Sequence, residues 1–211
     1  MKFGNLRTNR INQWIIIHLR YLVGFAFLPS GLTKLIGNRF TRISTENPIG
    51  YFFEALYQSG FYWNFLGWAQ VITGVLLMTQ RYATLGVLVF FAILTNIWVI
   101  TLSLSFSGTW IITSLMMLAV SILLIWDGHK LLPIFNYNKS GIVKEYPDPG
   151  RIWITAGAIY AFSFIVLYML DPVYGAVYEK WLVKVFAAAI LLTFIISNYK
   201  AYKNHRLALK T

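Results

Sequence analysis

The chain has 211 residues, 58% hydrophobic and 18% aromatic but only 12% charged, with a formal net charge of +11. A soluble domain averages about 25% charged residues, and the 45 consecutive residues from 82 to 126 carry no charge at all. At about 1.5 Å rise per residue that interval makes about 68 Å of helix, two crossings of a ~30 Å hydrocarbon core, which excludes a soluble globular protein. The positive balance does not point to nucleic acid either. Lys and Arg gather at the ends of apolar segments, where the positive-inside rule and anionic headgroups place them. Cysteine is absent, so disulfides, thiolate catalysis and Cys-ligated metals are excluded within this chain.

In chain order, length and breakers predict six spans, near 12–35, 62–80, 82–105, 110–126, 152–170 and 181–199. The basic N-terminus leads into an apolar run as a signal peptide would, but Arg20 interrupts the run and no small-x-small site follows. It is therefore expected to remain as the first span. Between the first and second spans lies "NPIGYFFEALYQSG". Asn47 can cap a helix, Pro48 suits its first position and Gly60 can end it. Ile49, Phe52, Phe53, Leu56 and Tyr57 then share one face. About eleven residues cannot cross a bilayer, so residues 48–58 are expected either to lie in the outer interface or to pack across the mouth of the bundle. "SFSGTW" makes a short turn between the third and fourth spans. The segment 127–150 holds three prolines, mixed charge and no helical period. It is expected to be a loop dividing a front unit, residues 1–132, from a linker, 133–151, and a rear helix pair with a basic tail, 152–211.

Charge sets the orientation. With the N-terminus inside, twelve Lys and Arg fall on the cytoplasmic side (Lys2, Arg7, Arg10, Arg81, Lys130, Lys139, Lys144, Arg151, Lys200, Lys203, Arg206, Lys210) and three outside (Arg39, Arg42, Lys180). Both termini are therefore expected in the cytoplasm.

The first span carries the polar feature that most needs a partner. With Arg20 at zero and about 100° per residue, Gly24, Phe27, Gly31 and Lys34 all fall within about 40° of it. Small residues on such a stripe let another helix approach closely. A lipid-facing arginine costs at least about 2.5–3.5 kcal/mol on insertion scales, so Arg20 is expected to face inward. Lys34, by position, marks the outer end of the span. Gln70, flanked by Gly67 and Gly74, and Asn96 are expected at middle depths, converging with Arg20 on one pocket. Interhelical hydrogen bonding that merely fixes the bundle is the plainer role for each residue taken singly. The seven acids all read as loop or span-end residues, so Arg20 is left with Asp127 at the inner edge, backbone carbonyls, or an anionic or carbonyl-bearing ligand. His18, His129 and His205 do not form a haem or metal pattern, and no Walker, Rossmann or nucleophile-elbow motif occurs in context.

The order and spacing of "RYLVGFAFLPSGLTKL", "YFFEALYQSG" followed by "WAQVITGVLLMTQR", "LTNIWVITLSLSF" and "LMMLAVSILLIWD" resemble the DoxX-like family of small membrane proteins over residues 12–132. The resemblance implies an all-α, polytopic membrane bundle: a four-helix core to which this chain adds a C-terminal helix pair. It places Arg20, Lys34 and Gln70 at the family's polar motif positions. Many members carry Glu where this chain has Gln70, which argues against acid–base chemistry there. Two functions follow as expectations. One is an accessory or scaffold subunit in the bacterial cytoplasmic membrane, not catalytic on its own, that binds partner proteins through its helices. The alternative is a quinone-binding membrane subunit of a redox system with a separate electron donor. No metal or haem is expected, and the ligand-binding candidates are Arg20, Gln70, Asn96 and Lys34.

Overall fold

The structure, a computed structural model, describes residues 3–135, 150–174 and 180–208. These residues form helices α1 (Phe3–Thr8), α2 (Arg10–Leu35), α3 (Pro48–Gln58), α4 (Phe61–Met78), α5 (Ala83–Ser103), α6 (Thr109–Phe135), α7 (Arg151–Tyr174) and α8 (Lys180–Ala208), with no strand among them. Six of them, α2 and α4 to α8, are long and apolar enough to cross a membrane. The chain is thus an all-helical membrane bundle.

Local chemistry explains the ends that matter for the site. Asn9 opens α2 by accepting the Ile11 amide on its side chain at 2.9 Å, and α2 then runs unbroken through Pro29. Asn47 caps α3 in the same way, accepting from the Ile49 amide at 2.9 Å, with Pro48 in the first turn. The segment expected at 48–58 is therefore a helix with those bounds. The turn from α4 to α5 is tight and carries Gln80 at φ +60°, a left-handed backbone that few non-glycine residues adopt.

Two cores share α2 as their common wall. On one side Ile16, Val23 and Phe27 of α2 pack with Leu77 of α4, Val87, Phe90 and Leu94 of α5, and Val120 and Leu123 of α6. The Phe27 and Phe90 rings stack with centroids 3.6 Å apart. On the other side Ile17, Tyr21, Leu28 and Leu32 meet Val71 and Met78 of α4 and Trp153 and Ala161 of α7.

Helices α2 and α4 cross at paired glycines. A Cβ on Gly24 would stand 2.8 Å from the Gly74 carbonyl oxygen, and one on Gly31 would stand 2.9 Å from that of Gly67. The small-residue stripe read from the sequence is this contact. Gly157 of α7 likewise lies against the Met78 carbonyl at the end of α4. Helix α7 therefore shares a core with the front helices, and the two units expected from the sequence are in contact. Helix α8 lies outermost, against α7, with Leu191, Leu192, Phe194, Ile195 and Ile196 exposed.

Helix α6 corrects the sequence reading in one respect. The expected loop beginning at residue 127 is helical as far as Phe135, so Asp127 belongs to a span, Thr109–Leu131, and not to a linker. Residues 136–149, the remainder of that expected loop before Gly150, lie outside the described residues.

Candidate functional site

Arg20 faces inward, as its cost in lipid requires, and is only 4% exposed. Its Nη2 donates to both carboxylate oxygens of Asp127, at 2.8 and 2.9 Å, and its Nη1 donates to Gln80 Oε1 at 3.1 Å. Asp127 also accepts from the Thr84 hydroxyl at 3.3 Å, and Lys130 Nζ stands 4.0 Å away at the rim. Gln80 Nε2 donates to the Ile17 carbonyl at 3.4 Å. The left-handed backbone at Gln80 thus belongs to the residue that ties the α4–α5 turn to Arg20. Of the three partners open to Arg20 on sequence grounds, the protein uses the carboxylate.

This placement corrects the expected convergence of Arg20 with Gln70 and Asn96. Arg20 is level with Gln80, just past the end of α4, and Gln70 lies ten residues earlier, roughly 15 Å away at helical rise. Arg20 lies ten residues inside α2, but what meets it there is the turn just past the end of α4, not the middle of that helix.

The other three candidates do come together, at the opposite end of α2. Lys34 is 6% exposed, although its position near the end of a span read as a marker of the surface. Its ammonium donates to the Ser30 carbonyl at 3.0 Å, the Ser30 hydroxyl at 2.9 Å and Gln70 Oε1 at 3.0 Å. It lies 4.9 Å from the centre of the Trp63 ring and 5.1 Å from that of Phe40, close enough for cation–π attraction. Among the described residues no carboxylate pairs with it. The cation is therefore solvated by neutral oxygens and ring faces alone.

Lys34, Ser30, Gln70 and Asn96 line a cavity of about 460 Å3 whose remaining walls are largely aromatic and aliphatic, with Phe40, Phe52, Phe53 and Leu56 at its outer end. That volume lies within the roughly 300–1,000 Å3 typical of small-molecule sites. Helix α3 caps the cavity, so the 48–58 segment packs across the bundle mouth. It is held there by Arg39, which donates to both oxygens of Glu54 at 2.7 and 2.9 Å. The exposed residues of the lining, Tyr62 and Phe65 on α4 and Ala92 and Asn96 on α5, place an opening sideways between those two helices. Asn96 donates to the Ala92 carbonyl at 3.0 Å and leaves its own side-chain carbonyl at the cavity edge.

The sequence reading missed the aromatic enclosure of Lys34. Trp63, at the start of α4, is 2% exposed and carries the lysine on its face. The one available signal was the proximity of "FYWNF" to the α3 segment, which brings Trp63 back over the end of α2.

Fold and cavity together define an integral membrane protein with a cationic, apolar-walled cavity at one end of its bundle. Among known sequences it is similar to an uncharacterized protein, YwoB, of Bacillus subtilis (strain 168), with 28% identity over 147 residues, covering 64% of this chain and 90% of that protein. No family model matches the chain, and no solved structure matches it.

Proposed function

We propose that this chain is a DoxX-like binding subunit of the bacterial cytoplasmic membrane, with both termini cytoplasmic, and that its cavity takes the head of a quinone at Lys34. The supporting observation is the buried Lys34 ammonium, which faces an apolar cavity with neutral partners only. A buried cation without a counter-charge costs several kcal/mol. A ligand carbonyl that concentrates negative charge recovers part of that cost. Ser30 and Gln70 allow the exchange, since the Ser30 hydroxyl already lies 3.3 Å from Gln70 Oε1 and can keep that oxygen satisfied when Lys34 turns to a ligand. Phe40, Phe52 and Phe53 offer ring faces, and the gap between α4 and α5 suits an isoprenoid tail. A bound quinone would supply two-electron carriage between membrane enzymes, and the electron donor would be a separate protein.

The test is purification of the full chain in mild detergent, followed by lipid extraction and titration with a quinone analogue read by tryptophan fluorescence. Wild type should retain quinone, and Lys34→Met should weaken the analogue at least tenfold. Equal affinity in Lys34→Met would refute the reading. A scaffold role is the second reading, supported by the uncovered apolar face of α8 and its run of small residues at 187–189. A stable protein partner recovered without any quinone would favour it.

A further inference from the structure

A second cavity, of about 980 Å3, lies at the other end of the molecule, between the start of α2, the start of α7 and the last turns of α8. Its polar wall holds Arg10, Arg151 and Asn204, and its apolar wall holds Trp14, Trp153 and Ile17. No carboxylate is among the described residues that line it. Neither Arg10 nor Arg151 is engaged in an ion pair with a described residue. The first turn of α7 also lines the cavity. The Trp153 amide donates to the Gly150 carbonyl at 3.1 Å, which leaves the Arg151 and Ile152 amides without a helical acceptor, and Gly150, at φ +85°, has no side chain to cap them. Two guanidiniums and a helix N-terminus therefore add positive potential to one mouth. Trp14 fixes the third wall by donating to Asn198 of α8 at 2.8 Å.

We infer that this cavity binds a phosphate group, presented either by an anionic phospholipid or by a soluble phosphate. The polar wall matches a phosphate, because guanidinium forks bind phosphate oxygens in pairs. The apolar wall beneath it matches the glycerol and upper acyl region of a lipid. The site adds a lipid contact to α7 and α8 that is independent of the quinone reading, since none of its residues lines the Lys34 cavity.

Each cation near an anionic headgroup contributes about five- to sixfold, so two predict about thirtyfold preference for an anionic over a zwitterionic lipid. The experiment uses the delipidated full chain in detergent with equal amounts of phosphatidylglycerol and phosphatidylcholine, read by native mass spectrometry. Wild type should retain phosphatidylglycerol in about thirtyfold excess. Arg10→Gln/Arg151→Gln should lose that excess, while Lys200→Gln/Lys203→Gln, with the same charge change on residues outside the lining, should keep most of it. Both arginines are exposed, and an unchanged circular dichroism spectrum will confirm folding. In a parallel arm, displacement of the lipid by millimolar inorganic phosphate assigns the site to a soluble phosphate, and lipid retention assigns it to the headgroup. Equal retention of the two lipids by wild type, with no displacement of either by phosphate, would overturn the inference. So would an equal loss in both double variants.

Discussion

Asp127 and Arg20 form a pair whose disruption should be costly and asymmetric. Their side chains are 1% and 5% exposed, and two hydrogen bonds of 2.8 and 2.9 Å join them. Removing one member of a buried pair typically costs about 3–5 kcal/mol, because the other charge is left uncompensated, whereas removing both is often close to neutral. Asp127→Asn keeps one oxygen for the guanidinium and should fall near the lower figure, and Asp127→Leu near the upper. Arg20→Leu should cost less than Asp127→Leu. The carboxylate would keep Thr84 and could draw in Lys130, whereas Arg20 alone would keep only neutral Gln80. Lys130 is half-exposed at 4.0 Å, so Lys130→Gln should cost under about 1 kcal/mol. Reversible unfolding in detergent, followed by circular dichroism across a denaturant series, gives these values. The double variant Arg20→Leu/Asp127→Leu should cost less than either single one, and so well under the sum of its parts. Additive singles, or singles costing under about 1 kcal/mol each, would show that the pair does not hold α2 to α6.

Other parts of the fold give shorter tests. Gly24→Ala and Gly74→Ala each push a methyl to within 2.8 Å of a backbone carbonyl on the facing helix, and each should cost about 1–3 kcal/mol in the same unfolding assay. Wild-type stability in either would mean that the helices do not cross there. The hydrogen bond from Arg39, with a second from Gln58, holds the Glu54 carboxyl below its ordinary value. A depressed carboxylate contributes above its unfolded value and is lost as pH falls through the folded one. A spin label at Tyr51→Cys should therefore stay immobile down through the usual carboxylate range and loosen only below it, whereas Glu54→Gln should loosen it at neutral pH. Immobility under all conditions would show that the ion pair does not tether α3. Single cysteines at Ser44 and Lys203, in a chain free of native cysteine, should label with an impermeant reagent from opposite faces of the membrane. Labelling from one face would refute an odd number of crossings between them.

The existence of the spans was legible because hydrocarbon tolerates few charges, and a charge-free run of 45 residues has no other use. Helix α3 was legible to its ends because Asn47, Pro48 and Gly60 act locally. The end of α6 was not. Pro133 and the mixed charges after Asp127 read as a loop, yet the helix runs on to Phe135. That reading put Asp127 at the inner edge, so the carboxylate stood as only one of three partners open to Arg20. Asn96 and Gln70 were read correctly as membrane-depth polar residues, and the fault lay in their register against α2. A single sequence gives each helix its own length but not the vertical offset between helices, and here Arg20, ten residues inside α2, stands level with the turn beyond the end of α4. The burial of Lys34 could not be read, because a lysine near the end of a span looks the same whether it reaches for water or is buried. Trp63 and Phe40, brought in from other elements, decide the matter.

The two cations of α2 stand fourteen residues apart on one face, about 21 Å along the helix, and the bundle treats them differently. At one end Arg20 is matched by a carboxylate, a side-chain amide and a tight turn, so that no charge remains for anything else to meet. Such a site closes and clamps. At the other end Lys34 is held by a serine, an amide and two rings, which solvate the ammonium without neutralising it. Packing alone gains nothing from this arrangement, since a methionine would fill the same space without the desolvation cost. The cavity beside Lys34 is also where α3 is tethered by an exposed ion pair rather than by a buried core. The end of the protein with an uncompensated charge is thus also the end with the weakest cover. Those are the two physical requirements for admitting and holding an amphipathic molecule whose head concentrates negative charge.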